Sequence, residues 1–202
     1  MENILKTVDV VVESDKTIIA ESEVKTQSST RLVQNLEKLT TVIGKVVEET
    51  KEPFQVFGAN TALVVKYEPP KQITLVASEH RLSTNQTEID IDYLDGINSN
   101  SHNADQALAQ ATIPASAFGN LSKPVTSLLY RENTLLQEVD AQGEPSQSRL
   151  VSSSVLSISV GDEPVTNLLV PLVLRFQRTQ STAGITGDDL CSFWNFTARE
   201  YF

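Results

Sequence analysis

The sequence predicts a mainly β protein, an antiparallel β-sandwich behind a short helical lead-in. Three observations carry this. Apolar residues recur at steps of three and four over residues 28–50. After Pro53 the apolar period changes to two, the spacing at which one side of a strand meets a core. Short alternating runs then follow one another to the C-terminus, separated by clusters of Gly, Pro, Asn and Ser. With 202 residues, 40% of them hydrophobic and 21% charged, the chain has the composition of a soluble globular protein and the length for one sizeable core. The change of period at Pro53 divides it into a helical part, residues 1–52, and a sandwich, residues 53–202.

Within the first part, Ile4, Val8, Val11 and Val12 sit at helical spacing. Their β-branched density pulls toward a strand, and the spacing favours the helix. Residues 14–27 are polar and read as a linker. Ser28 to Thr50 gives the clearest helix: Leu32, Leu36, Leu39, Ile43 and Val46 draw one stripe, widened by Val33, Val42 and Val47. Ser28, Ser29 and Thr30 offer N-cap oxygens, and Glu52-Pro53 ends it. Gly44 inside the run costs about 1 kcal/mol relative to Ala, so packing of the stripe must hold that turn.

In the second part, Phe54, Val56, Leu63, Val65 and Tyr67 alternate around Gly58-Ala59-Asn60, and Ile73, Leu75 and Ala77 continue beyond Pro69-Pro70. Residues 79–110 read as mostly loop, with one edge strand over Ile89 to Leu94. Ile113, Phe118 and Leu121 resume the core. Val125 to Leu136 supplies another strand or two, with Tyr130 half-buried, and Asp140 to Gln147 is a turn by composition. In Leu150 to Val160, Leu150, Ser154, Leu156, Ile158 and Val160 face the core, while Val151, Ser153, Val155, Ser157 and Ser159 face solvent. Leu168 to Leu174 is the strongest apolar run, and with Arg175-Phe176 it reads as a buried strand packing Leu172, Leu174 and Phe176 with Phe193, Trp194, Leu156 and Ile158.

Charge and motifs exclude several functions. The formal net charge of -10 supplies no basic stripe for nucleic acid or an anionic membrane surface. No run approaches the roughly 20 apolar residues that span a bilayer, and no apolar leader follows Met1. Read literally, that start gives a cytosolic chain. His80 and His102 lie in polar sequence without a nucleophile or acid at an informative spacing. Neither a G-x-S-x-G elbow nor a nucleotide-binding glycine loop occurs. No cofactor is expected.

The acidic stretch from Asp90 fails the calcium-loop pattern. Its third acid falls one place late, and Ser101 stands where the bidentate glutamate belongs. A looser set of Asp90, Asp92, Asp95 and Asn98 is the remaining oxygen-rich candidate. The single cysteine, Cys191, is either a buried thiol beside Phe193 and Trp194 or half of a disulfide whose partner lies beyond Phe202. Asp188 and Asp189 nearby disfavour a reactive thiolate. Glycosylation acceptors occur at Asn85-Gln86-Thr87, Asn120-Leu121-Ser122 and Asn195-Phe196-Thr197, the first two in loop sequence.

The C-terminal stretch carries a family resemblance. Val170-Pro171-Leu172-Val173-Leu174-Arg175-Phe176 followed by Cys191-Ser192-Phe193-Trp194-Asn195-Phe196 resembles the last strands of the GAIN domain of adhesion G-protein-coupled receptors, where the GPCR proteolysis site motif opens. Leu150 to Asp162 resembles the preceding family strand, and Ala111 to Phe118 a stretch that often opens with Ile-Pro. The resemblance implies a subdomain B-like sandwich over 53–202, incomplete at its C-terminus, and the end of a subdomain A-like helical part over 1–52. Phe193, Trp194 and Asn195 become the motif core, and Cys191 pairs with a later cysteine.

The family's cleavage tripeptide, His-Leu-Ser/Thr, occurs nowhere in the 202 residues. In the family its histidine serves as base for an N-to-O acyl shift that frees a tethered agonist strand. The resemblance therefore implies a piece of a receptor, truncated before the cleavage site: an extracellular structural and regulatory module that is not itself an enzyme. Its partners would be the rest of the receptor, with the missing final strand and the seven-helix membrane bundle, and an extracellular protein ligand. The parent would sit at the plasma membrane with this domain outside. The alternatives are a stand-alone extracellular β-sandwich module for adhesion or interaction, and the related domain of a polycystin-like membrane protein.

Overall fold

The structure is a computed structural model and describes residues 2–81, 87–95, 107–132, 134–136, 153–163, 165–178, 192, 194–195 and 200–201. It begins with three helices, α1 (Glu2–Val12), α2 (Lys16–Thr26) and α3 (Ser28–Thr50). Among the described residues ten strands follow: β1 (Phe54–Phe57), β2 (Thr61–Glu68), β3 (Ile73–Arg81), β4 (Thr87–Asp95), β5 (Ala109–Ile113), β6 (Lys123–Tyr130), β7 (Val155–Val160), β8 (Val173–Phe176), β9 (Trp194–Asn195) and β10 (Glu200–Tyr201). Two 3-10 turns, Ala115–Phe118 and Thr134–Leu136, flank β6. Two four-stranded sheets, ordered β1-β2-β6-β7 and β4-β3-β5-β8, form the body, and every pairing in them is antiparallel. The mainly β, antiparallel fold with N-terminal helices is the one the apolar periods predict.

The layers are three. α1 and α3 bury Leu5, Val8, Val12, Val33, Leu36 and Val47 on one face of the first sheet, against Leu63, Val65, Leu128 and Tyr130. The other face of that sheet meets the second sheet through Ala62, Val64, Leu129 and Val125, opposite Ala77, Ile89, Ile91, Leu75 and Ile113. β2 is thus covered on both sides, which is why Ala62-Leu63-Val64-Val65 reads as a continuous apolar run. Tyr93 on β4 ties the sheets together. Its hydroxyl lies 3.0 Å from Ser127 Oγ and 3.1 Å from the Val125 carbonyl across the sandwich.

Several expectations need correction. Residues 14–27 are largely helix: Asp15 caps α2 by accepting from the Thr17 N–H at 2.8 Å, and Ile19, Ala20 and Glu23 are buried. Polar composition concealed an element whose buried face is only one turn long. The caps on α3 are also different. Gln27 is its N-cap and makes no side-chain cap bond, whereas Glu23 reaches from α2 to the start of α3. There it accepts from Ser29 Oγ (2.5 Å), Thr30 Oγ1 (2.5 Å) and the Thr30 N–H (3.0 Å). The buried stripe of α3 is rotated toward Val33, Leu36, Thr40, Gly44 and Val47, leaving Val42 and Val46 exposed. Gly44 lies where the helix passes over Pro124 and Thr126 of β6.

Leu121 is 70% exposed, because the turn after the second-sheet core points it outward. Tyr130 is buried, since helix α3 covers its end of the first sheet, and its hydroxyl finds no hydrogen-bond partner among the described residues. Of the face of β7 read as solvated, Val155 packs against the helical core and Ser157 donates to Glu37 Oε1 of α3 at 3.2 Å.

Burial raises the pKa of Glu23, but the hydrogen bonds from Ser29 and Thr30 outweigh it and hold the carboxyl below its ordinary 4.5. A carboxyl depressed in the folded state contributes stability that is full above the unfolded pKa and fades as pH falls through the folded one. Glu23→Gln should therefore cost about 1–3 kcal/mol at neutral pH. Urea melts of both proteins should show that difference shrinking below pH 4.5. A pH-independent gap would contradict the assignment.

Candidate functional site

The feature most suited to recognition is the flank where β7 and β8 are both edge strands. On the opposite flank β1 and β2 lie against β4, so the two sheet orders bring β7 and β8 to the same side. Ser154 Oγ donates to the Leu108 carbonyl at 3.2 Å and ties the sheets at one end of this flank. Beyond it, Leu156, Ile158, Leu168 and Leu172 pack on the inner core while the residues around them stay open. Leu169 is 92% exposed, Leu174 38% and Phe176 37%, with Val170 and Val173 exposed beside them.

The backbone of β8 defines what this edge can do. β8 pairs with β5 in the register Thr112↔Val173, Ala111↔Leu174, Gln110↔Arg175 and Ala109↔Phe176. The Gln177 N–H donates to the Leu108 carbonyl at 3.0 Å. Hydrogen-bonded and non-bonded pairs alternate along an antiparallel ladder, so Arg175 and Val173 face β5. The N–H and C=O groups of Leu174 and Phe176 point away from it, and among the described residues no strand occupies that side. An edge with free backbone groups and apolar side chains is a template for one more strand.

Leu174 and Phe176 share the inward side of the sheet with Ala111 and Ala109. The expectation that they are buried with Leu156 and Ile158 is corrected: Leu172 is in that cluster, whereas Leu174 and Phe176 lie at its open margin. Phe193 and Cys191 lie outside the described residues, as do Asn85, His102 and Asn98. Trp194 and Asn195 form β9, paired with β10 as Tyr201↔Trp194 and Glu200↔Asn195. Asn120 stands exposed after the 3-10 turn Ala115–Phe118. Asp90 and Asp92 lie on β4, an edge strand that contains the one expected over Ile89 to Leu94, and they stand opposite Ser78 and Val76. Among the described residues no group of three His, Cys, Asp or Glu side chains is placed to hold a metal ion. His80 Nε2 lies 3.8 Å from Asp90 Oδ2 and 3.4 Å from Ser78 Oγ, a polar cleft at the end of β3.

These features meet a known pattern. The family model for the GPS region, described as GAIN subdomain B, matches residues 71–201. The chain belongs to the GAIN family. The full extracellular region of zebrafish Gpr126/Adgrg6 has the same fold, with a TM-score of 0.69 at 20% identity over 96% of this chain. The chain spans 24% of the length of that structure. Comparison with curated proteins gives no match. The GAIN match takes in β3 to β10 and so includes the open β8 edge and the β9–β10 ribbon. No helix among the described residues is long and apolar enough to cross a membrane.

One residue that positions this body escaped the sequence reading. Asp9, on the buried face of α1 between Leu5, Val8 and Val12, accepts from the N–H groups of Ala59 (3.0 Å) and Asn60 (3.1 Å) and from Thr61 Oγ1 (3.0 Å). Its carboxylate fills the β1–β2 turn and comes so close to Gly58 that a Cβ there would collide with Oδ2. The available signal was an acid at the i, i+3, i+4, i+7 positions of an otherwise apolar face.

Proposed function

We propose that this GAIN domain is an extracellular structural and regulatory module of an adhesion G-protein-coupled receptor, and that the open β8 edge is the seat of the receptor's tethered agonist strand. The observation that carries this is the pairing of outward backbone groups at Leu174 and Phe176 with exposed apolar side chains on the same strand. A strand added there gains ladder hydrogen bonds and apolar burial together, the mode of β-strand addition. The fold likeness to the Gpr126 extracellular region supports a receptor setting. In this reading residues 1–52 are the end of a subdomain A-like helical part, and residues 53–202 are subdomain B. Phe193, Trp194 and Asn195 open the proteolysis motif, and Cys191 is bridged to a cysteine further along the parent. The His-Leu-Ser/Thr tripeptide and the agonist strand come from that same later segment, beside the membrane bundle.

The 202-residue chain by itself should then self-associate through the β8 edge, which no described strand covers, and Cys191 should react as a free thiol. Sedimentation velocity on the purified chain checks this. Concentration-dependent dimers that dissociate on adding a peptide of the parent's agonist strand are expected. A monomer at all concentrations that ignores the peptide would contradict the reading.

A further inference from the structure

We propose that Asn120 is an N-glycosylation site, with its carboxamide nitrogen taking an oligosaccharide from a polyisoprenyl-pyrophosphate donor in the secretory pathway. The inference rests on the extracellular reading above. The acceptor triplet Asn120-Leu121-Ser122 follows the 3-10 turn Ala115–Phe118, whose C-cap Gly119 has φ +62 and swings the chain outward before β6 begins. Asn120 is exposed, Leu121 is 70% exposed, and Ser122 is only half-buried. Neither the Asn120 carboxamide nor the Ser122 hydroxyl is hydrogen-bonded to any described residue. Both groups the transferase must engage are therefore unencumbered, and a bulky glycan fits without disturbing the core that begins at Phe118. Asn195 differs, because it lies within a strand ladder opposite Glu200.

In the transfer the amide nitrogen forms a bond to the anomeric carbon as that carbon's bond to pyrophosphate breaks. The lipid pyrophosphate departs with the bond's electron pair, and the amide proton goes to a base of the transferase. The consequence is positional. β6 starts at Lys123, paired with Glu68, and its other end, Tyr130, pairs with Thr61 next to the turn clamped by Asp9. A glycan on Asn120 commits the Glu68–Lys123 end of the sandwich to solvent.

The test expresses the full chain behind a cleavable leader in mammalian cells. N-glycans are removed with an amidase in heavy-oxygen water, which leaves tagged aspartate at each occupied site for peptide mass spectrometry. Most copies should be tagged at Asn120, Ser122→Ala should abolish that tag, and Ser122→Thr should retain it. A folded chain untagged at Asn120 overturns the proposal. Occupancy is read in the cell-retained pool as well as the medium. A failure of the chain to be secreted, which counts against the extracellular reading, therefore leaves the result at Asn120 legible.

Discussion

Asp9→Ala should destabilise the protein by about 3 kcal/mol, a large loss for one side chain. Hydrogen bonds to a charged group are worth about 1.5–3 kcal/mol each, and buried donors left unpaired cost about 1–3 kcal/mol. The Asp9 carboxylate serves two backbone N–H groups and one hydroxyl, and the Asn60 N–H is buried. The variant leaves those donors facing α1 with nothing to accept. Because Asp9 links α1 to the β1–β2 turn, the loss should also loosen the helical layer from the first sheet. Chemical denaturation gives the magnitude, and amide exchange at Ala59 and Asn60 gives the location. Asp9→Asn, which keeps an acceptor but not the charge, should lose about half as much. Wild-type stability in the alanine variant would mean that water replaces the carboxylate.

Phe118→Ala should cost about 3–5 kcal/mol, whereas Leu174→Ala should cost under about 1.5 kcal/mol. Phe118 is fully buried on the 3-10 turn and packs with Ile73, Leu75, Ile113 and Val125 from three strands. Truncating it opens a cavity that β-strands, fixed by their ladders, collapse into poorly. Leu174 is apolar too and lies in a stronger apolar run, so the sequence places it in the core with a cost of about 2–5 kcal/mol. Its 38% exposure removes most of that cost. Equal losses from the two variants would show that the β8 edge is packed after all.

The contrast between Phe118 and Leu174 indicates what the sequence can and cannot reveal. Period told helix from strand correctly for α3 and for β1 to β3, because apolar spacing follows from burying one face. It could not tell a core face from an exposed edge face, because both carry the same apolar residue types. Leu174 and Phe176 were legible as strand residues but not as exposed ones. α2 was illegible because Glu23, the residue that organises it, is polar and buried, and its partners Ser29 and Thr30 look like ordinary caps. Asp9 was illegible because its partner turn lies about fifty residues away in the chain. The resemblance in Val170 to Phe176 and Cys191 to Phe196 located the family, and the register of β8 located the edge within it.

Whether that edge receives a strand is measured most directly by amide hydrogen exchange along β8. Two proteins are compared: the 202-residue chain, and the same chain continued through the next segment of its parent. If the account is right, the Leu174 and Phe176 amides, which point away from β5, exchange freely in the first protein and become protected at least about tenfold in the second, equivalent to about 1.4 kcal/mol. The Arg175 amide, already paired with β5, changes much less. Equal, unprotected exchange at Leu174 and Phe176 in both proteins would contradict the account.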